Sequence, residues 1–167
     1  MIFLTVGTQV PFDRLVSAVD RWAGEDPGRR VIAQIGPTSL RPRHFEWSDF
    51  ISPADCRKRL READLVVSHA GMGTILSALE LGTPALVMPR RAALGEHRND
   101  HQLATARRFA QIGGVTVAFD ERQLGRHLGA ADWRAGGPRI GDSAPEGFIA
   151  ALRAFIEGAP QPLSPSR

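Results

Sequence analysis

The chain has 167 residues and a mass of 18.2 kDa, with 43% apolar and 23% charged residues. That is enough chain to bury the core of one domain, and it excludes disorder, collagen-like repeats and coiled coil as readings of the whole. The net charge is +3 and the pI about 10.3, carried almost wholly by arginine because Lys58 is the one lysine; the planar guanidinium fork suits phosphates and other anions, so a basic face toward a diphosphate or an anionic membrane is allowed.

In chain order, Ile2 to Val6 is a short apolar, β-branched run closed by Gly7, which reads as a buried strand. Pro11 opens a helical stretch with Phe12, Leu15, Val16 and Val19 on one face, closed by Gly24 and Pro27. Arg30 to Ile35 is the second strand, and His44 to Phe50 admits a further short one. Ser52-Pro53 reads as helix cap and first helical position, opening a helix that runs to Ala63. Leu65 to Val67 is a strand, Gly71 to Leu81 a helix stopped by Gly82, and Pro84 to Met88 a strand stopped by Pro89. A polar loop from Arg90 to His97 precedes a helix over Asn99–Gln111, a strand over Val115–Phe119 and a short helix capped by Asp120. Gly125 to Pro145 is assigned no element, Phe148 to Ile156 reads as a last packing helix, and residues 158–167, rich in proline and serine, read as a disordered tail after a domain of residues 1–157.

Strand and helix alternate throughout, which predicts an α/β fold with a Rossmann-like, doubly wound, mostly parallel sheet. No apolar run approaches the roughly 18 residues of a spanning helix. Met1 to Val6 lacks the basic start of a signal peptide. The single cysteine, Cys56, excludes an internal disulfide framework and a thiolate zinc cluster. These features predict a cytoplasmic protein. The tryptophans Trp22, Trp47 and Trp133 are too scattered to form a stacking platform, so nucleic acid is not an expected partner.

Ligands of such sheets bind beyond the carboxyl ends of the strands, and three loops stand there. Gly7-Thr8-Gln9 follows the first strand. Ser68-His69-Ala70-Gly71-Met72-Gly73-Thr74 joins a strand to a helix: its glycines permit close backbone approach, Thr74 adds a hydroxyl, and the helix start offers free N–H groups to an anion, most naturally a diphosphate. The same glycines also suit a plain tight turn. Ser77 stands where a dinucleotide fingerprint would have its third glycine or alanine, and no Gly-Lys-Ser/Thr of a P-loop is present. His69, at the strand end, reads as a turn hydrogen-bonder or as a weak catalytic candidate. The third loop carries Glu96, His97, Asp100, His101 and Gln102. The two histidines lack the glutamate of a zinc-protease helix, so no metal is expected; hydroxyl binding by Asp100, His101 and Gln102 is preferred, against a solvated helix start capped by Asn99.

These residues carry a resemblance. Met1 to Gln9 with Pro11-Phe12-Asp13-Arg14-Leu15, then Ser68 to Leu76 with Leu79-Glu80-Leu81-Gly82-Thr83-Pro84, then Pro89-Arg90-Arg91, Gly95-Glu96-His97 and Asp100-His101-Gln102 resemble, in order, the PssE/EpsF-type exopolysaccharide glycosyltransferase subunits. The wider group is the glycosyltransferase family 28 C-terminal domain, the MurG-like donor-binding half of a GT-B enzyme. The likeness runs from Met1 to about Asp120.

The resemblance implies a fold equal to the C-terminal, nucleotide-sugar half of GT-B. It implies inverting transfer of a hexose, glucuronic acid or GlcNAc, from a UDP-sugar to a polyprenyl-diphosphate-linked sugar in polysaccharide biosynthesis. No cofactor is implied. The acceptor-binding half would be a membrane-attached PssD-like subunit that supplies the general base and holds this chain at the inner face of the plasma membrane. The implied donor site comprises Gly7, Thr8, Gln9, Ser68, His69, Gly71, Met72, Gly73, Thr74, Ser77, Glu80, Arg90, Glu96, Asp100, His101 and Gln102. Arg90 and Arg91 would suit a glucuronate carboxylate, or equally face solvent. The acidic residue with which the family holds the ribose falls at Ser77, a departure, and Glu80 lies one turn on. Two other readings remain: a non-catalytic binding or regulatory subunit, and a dinucleotide oxidoreductase. The last is disfavoured because Gly36-Pro37-Thr38 stands where an acidic ribose binder would close the second strand.

Overall fold

Among the described residues, six strands, β1 (Ile2–Thr5), β2 (Val31–Gln34), β3 (Glu46–Ser48), β4 (Leu65–His69), β5 (Ala85–Met88) and β6 (Thr116–Val117), form one sheet in the order β3-β2-β1-β4-β5-β6, and every neighbouring pair is parallel. The structure, a computed structural model, describes residues 1–112 and 115–130. Among the described residues, four α-helices connect strands, α1 (Asp13–Glu25), α2 (Pro53–Glu62), α3 (Met72–Leu81) and α4 (His101–Ile112), and α5 (Glu121–Ala130) follows β6. The doubly wound parallel sheet expected from the alternation of elements is the architecture found. The expected helix over Phe148–Ile156, the tail from residue 158 and the unassigned stretch beyond Ala130 lie outside the described residues.

Strands buried on both faces read as continuous apolar runs, and the pleat sorts their side chains. Ile2, Leu4 and Val6 of the first strand region, Leu65 and Val67 of β4 and Leu86 and Met88 of β5 pack with Leu15, Val16 and Val19 of α1 and Leu124 and Leu128 of α5. Phe3 and Val66 point the other way, against Leu60 of α2. Ala85 and Val87 join Ile75, Ala78 and Leu79 of α3 and Ala106 of α4. Each large side chain so buried contributes about 1.5–3 kcal/mol, which holds helices on both faces and leaves the strand ends free for loops.

Helix boundaries follow local chemistry where that chemistry is strong. Ser52 caps α2, its hydroxyl accepting the Asp55 N–H at 3.1 Å, with Pro53 at the first position. α3 stops at Gly82. Asp120 accepts the Gln123 N–H at 2.7 Å and opens α5. Pro11 does not open α1, which starts at Asp13; Phe12 before it is 1% exposed and packs in the core. β3 is a three-residue edge strand of partly exposed residues, which is why its apolar signal was weak. Among the described residues, no helix is long and apolar enough to cross a membrane.

Candidate functional site

The strand order reverses between β1 and β4, the switch point at which doubly wound sheets take their ligands. A cavity of about 310 Å³ lies there, lined by Gly7, Thr8, Gln9, Val10, His69, Arg90, His97 and Gln102. All three loops singled out from the sequence reach it.

Gly7, two residues after β1, has φ 77°, in the left-handed region that glycine adopts without steric cost. Thr8, Gln9 and Val10 beyond it are exposed. His69 closes β4 with its ring held between two glycines. A Cβ on Gly7 would lie 3.0 Å from His69 Cε1, and one on Gly71 would lie 2.2 Å from His69 Nε2. His69 Nδ1 is buried without a hydrogen-bond partner. Burial first, then the Arg90 charge and His97, hold the ring's pKa down to about 4, with the Thr5 backbone opposing; the imidazole is neutral at neutral pH.

α3 begins at Met72 with Gly71 as its cap, and no side chain caps it. Its first-turn N–H groups therefore have no side-chain partner at the helix start, where the dipole favours an anion. Met72 and Gly73 are exposed and Thr74 and Ser77 half-buried. A Cβ on Gly73 would meet nothing within 4 Å. The two glycines of the loop thus have different tasks: Gly71 makes room for the histidine ring, and Gly73 keeps the helix start open.

Arg90 is 2% exposed and among the largest fully buried side chains. Its Nη2 donates to the carbonyls of Val6 at 2.7 Å and Val10 at 2.8 Å, and its Nη1 to those of Pro11 and, at 3.4 Å, Glu96. The guanidinium lies 4.8 Å from the Phe12 ring centroid, and its backbone N–H donates to Gln102 Oε1 at 3.1 Å. Burial brings its pKa down to about 10, Glu96 opposing, so it stays charged at neutral pH. Arg90 binds the loop after β1 to the loop after β5 across the floor of the cavity.

A second clamp sits behind it. Arg14 of α1 donates from Nε to Glu96 Oε1 at 2.6 Å and from Nη2 to Glu96 Oε2 at 2.9 Å, and reaches Glu121 Oε2 at 3.3 Å and the Pro89 carbonyl at 3.0 Å. Glu96 Oε2 also accepts the Arg91 N–H at 2.9 Å. Burial works against the Arg14 charge, but Glu96 and then Glu121 outweigh it and hold the pKa above the ordinary value. With side chains 13% and 11% exposed, the part-buried Arg14–Glu96 pair lies between surface pairs worth about 0–1 kcal/mol and buried pairs, where loss of one partner costs about 3–5 kcal/mol.

These contacts correct part of the expected site. Arg90 is engaged by backbone carbonyls and is not placed to grip a ligand carboxylate. Arg91 donates from Nη2 to the Phe119 carbonyl and buries its Nε, so the argument for glucuronate from these two arginines fails. Both carboxylate oxygens of Glu96 are taken by Arg14 and the Arg91 backbone. The Ser68 hydroxyl is buried and donates to the His69 carbonyl at 3.0 Å. Glu80 lies 3.9 Å from Arg57 of α2, which turns it from the helix start. Asp100 Oδ1 accepts the Ala92 N–H at 2.9 Å, pinning the loop, while the exposed His101 starts α4 with its N–H donated to Asn99. Gln102 lines the cavity through a side chain that also holds Arg90.

With this geometry, similarity to known proteins has a clear outcome. Residues 1–129 match the Glycosyltransferase family 28 C-terminal domain. The chain belongs to this family. The human (Homo sapiens) UDP-N-acetylglucosamine transferase subunit ALG13 is 33% identical over 122 residues, covering 67% of this chain and 10% of that protein. The UDP-N-acetylglucosamine--N-acetylmuramyl-(pentapeptide) pyrophosphoryl-undecaprenol N-acetylglucosamine transferase of Thermus thermophilus is 35% identical over 132 residues, 77% of this chain and 38% of that protein. The chain thus spans well under two thirds of either relative. Among solved structures, that of ALG13 in solution superposes with a TM-score of 0.61 at 22% identity, covering 93% of this chain and 94% of that one. MurG of Acinetobacter baumannii gives 0.57 at 18% identity, covering 93% and 49%. At these identities the superpositions speak for a shared fold.

Within this family 28 domain, the structure brings Gly7, Thr8, Gln9, His69, Arg90 and Gln102 to one cavity. Sequence reasoning left out Val10 and His97, which line it, and Phe12 and Arg14, which support it. His97 had a signal in the Gly95-Glu96-His97 motif. Phe12 and Arg14 stood in the Pro11-Phe12-Asp13-Arg14-Leu15 motif, which did not show what they support, because their partners follow β5.

Proposed function

We propose that this chain is the donor-binding part of a glycosyltransferase that moves a sugar from a UDP-sugar to a polyprenyl-diphosphate-linked acceptor in polysaccharide biosynthesis. The observation that carries the reading is the open, uncapped start of α3 at Gly73, next to the switch-point cavity, in a family 28 domain. The two relatives, both UDP-N-acetylglucosamine transferases by name, favour GlcNAc as the sugar.

As the glycosidic bond to the donor breaks, negative charge builds on the departing UDP. N–H groups at the start of α3 and the positive end of its dipole favour that charge, and they are in place before the reaction, so they cost no reorganisation. Gly7, Thr8 and Gln9 face the same diphosphate from the end of β1. Ser77, the sixth residue of α3, is assigned the ribose. Gln102, which lines the cavity, is assigned the sugar hydroxyls, with Asp100 and His101 beside it at the start of α4. His69 is too weakly basic to serve well as the acceptor's base, so that base is assigned to a PssD-like, membrane-attached partner, which would also supply the acceptor wall and bring this chain to the inner face of the plasma membrane.

The test is Gly73→Asp. Open space around Gly73 lets the fold accept the side chain, but its carboxylate would stand where the diphosphate must approach. UDP affinity by calorimetry is expected to fall at least about a hundredfold, some 2.7 kcal/mol, with an unchanged unfolding midpoint. Equal affinity in the two proteins removes the α3 start from the site. Partner dependence has its own measurement. The chain alone, given UDP-GlcNAc and a lipid-linked acceptor, is expected to transfer no sugar until a PssD-like subunit is added, because a half-open site leaves charge contacts in water at high dielectric. Steady turnover by the chain alone sinks that part of the reading.

A further inference from the structure

His69 is placed in a way that donor binding by the backbone alone does not need. Its ring lines the cavity, Gly7 and Gly71 pack it from two sides, its Nε2 edge lies over Gly71, and its Nδ1 is buried and unpaired. A buried polar atom with no partner is costly and rare, and this one belongs to the side chain whose charge is most readily changed near neutral pH.

We propose that His69 takes up one proton from solvent when a diphosphate enters this cavity, so that the ligand's negative charge meets an imidazolium and ligand binding is proton-linked. The proposal rests on the donor-site reading above.

The groups that face the ring set the direction. Arg90, from the end of β5, and His97, from the loop before α4, both disfavour a positive ring, and burial adds to this. From β1 the Thr5 backbone favours the protonated form. The loop from Gly7 to Val10 and the start of α3 contribute no titratable side chain. Glu96 acts on Arg90 and is engaged by Arg14. The empty site therefore has a cationic bias with no anion against the ring, and the imidazole stays neutral. A diphosphate reverses the local sign. Protonated, the ring is a donor at both nitrogens, the form that the Thr5 backbone hydrogen bond favours and that an anion in the cavity would accept from. Because the complex then holds more protons than the free protein, affinity rises as pH falls. The rise begins at the ring's pKa in the complex and ends near its free value of about 4.

The experiment is calorimetry of the whole chain with UDP-GlcNAc. Its esterified diphosphate has no second phosphate ionisation near neutrality, so the ligand's own titration does not intrude. At about pH 6, in buffers of different ionisation enthalpy, the observed heat is expected to show uptake approaching one proton per ligand, and affinity to rise up to about tenfold per pH unit lowered. His69→Gln, still neutral and polar, should bind more weakly and lose the uptake. As a check independent of any variant, ring nitrogen resonances of His69 in the wild-type chain should move from neutral to imidazolium positions on adding ligand. Binding without uptake and with an unmoved His69 signal overturns the proposal alone. Uptake that survives in His69→Gln overturns it in favour of His97. No binding of UDP-GlcNAc overturns the donor-site reading and this proposal with it.

Discussion

Arg90→Ala is expected to destabilise the protein by about 3–5 kcal/mol, the range for truncating a large buried side chain and leaving its hydrogen-bond partners unpaired. The carbonyls of Val6, Val10 and Pro11 lose their charged donor together, a void opens beside Phe12, and groups left buried and unpaired carry the full desolvation penalty. Arg90→Lys should fall between the two proteins. A single ammonium on a flexible stem cannot reproduce a planar fork that serves carbonyls on both Nη atoms. Urea unfolding measures both variants, and since the site floor loosens, UDP affinity should fall with stability. If Arg90→Ala unfolds within about 0.5 kcal/mol of wild type, the range of an ordinary surface change, the clamp is not holding the loops.

Gly71→Ala is expected to cost about 1–3 kcal/mol of stability, as overpacking does, and to lower UDP affinity at least about tenfold, some 1.4 kcal/mol. The cause is contact and not backbone conformation: Gly71 has φ −92° and ψ 131°, which alanine adopts freely. Its Cβ would lie 2.2 Å from His69 Nε2, and Gly7 blocks retreat of the ring on another side. The ring must swing, and the cavity that it lines changes shape. Adding His69→Ala should remove most of the stability penalty, because the clash needs both side chains. Additive losses in that double-mutant cycle would show that something other than the ring occupies the space.

How far the sequence could be read depended on the distance between cause and effect. The cap at Ser52-Pro53 and the stop at Gly82 are settled within four residues, and both were legible. So was the parallel sheet, since Ile2 to Val6, Leu65 to Val67 and Ala85 to Met88 carry the near-continuous apolar pattern of strands covered on both faces. The glycines of the three loops marked where the site would lie. The work of Arg90, Arg14 and Glu96 was hidden for the opposite reason. Composition treats an arginine as a solvated charge, yet Arg90 finds its carbonyls 79 to 84 residues upstream, and Arg14 finds its carboxylate 82 residues downstream. Those partners meet only after the sheet has ordered its strands. The same holds for Gly71: its sequence context suggested room for a ligand, and the space is filled by a side chain two residues away.

The span of the Arg90 clamp also bears on the order in which the molecule assembles. Its bond to the Val6 carbonyl closes a loop of 84 residues, and such closures are entropically slow to form ahead of shorter-range contacts. The β1–α1–β2 region and the β4–α3–β5 region each join strands through a local crossover, and β1 must then pair with β4 before Arg90 can reach its carbonyls. The floor of the cavity is therefore expected to be among the last parts to form and, on heating, among the first to open, so that UDP binding is lost at a lower temperature than the far-UV circular dichroism of the sheet.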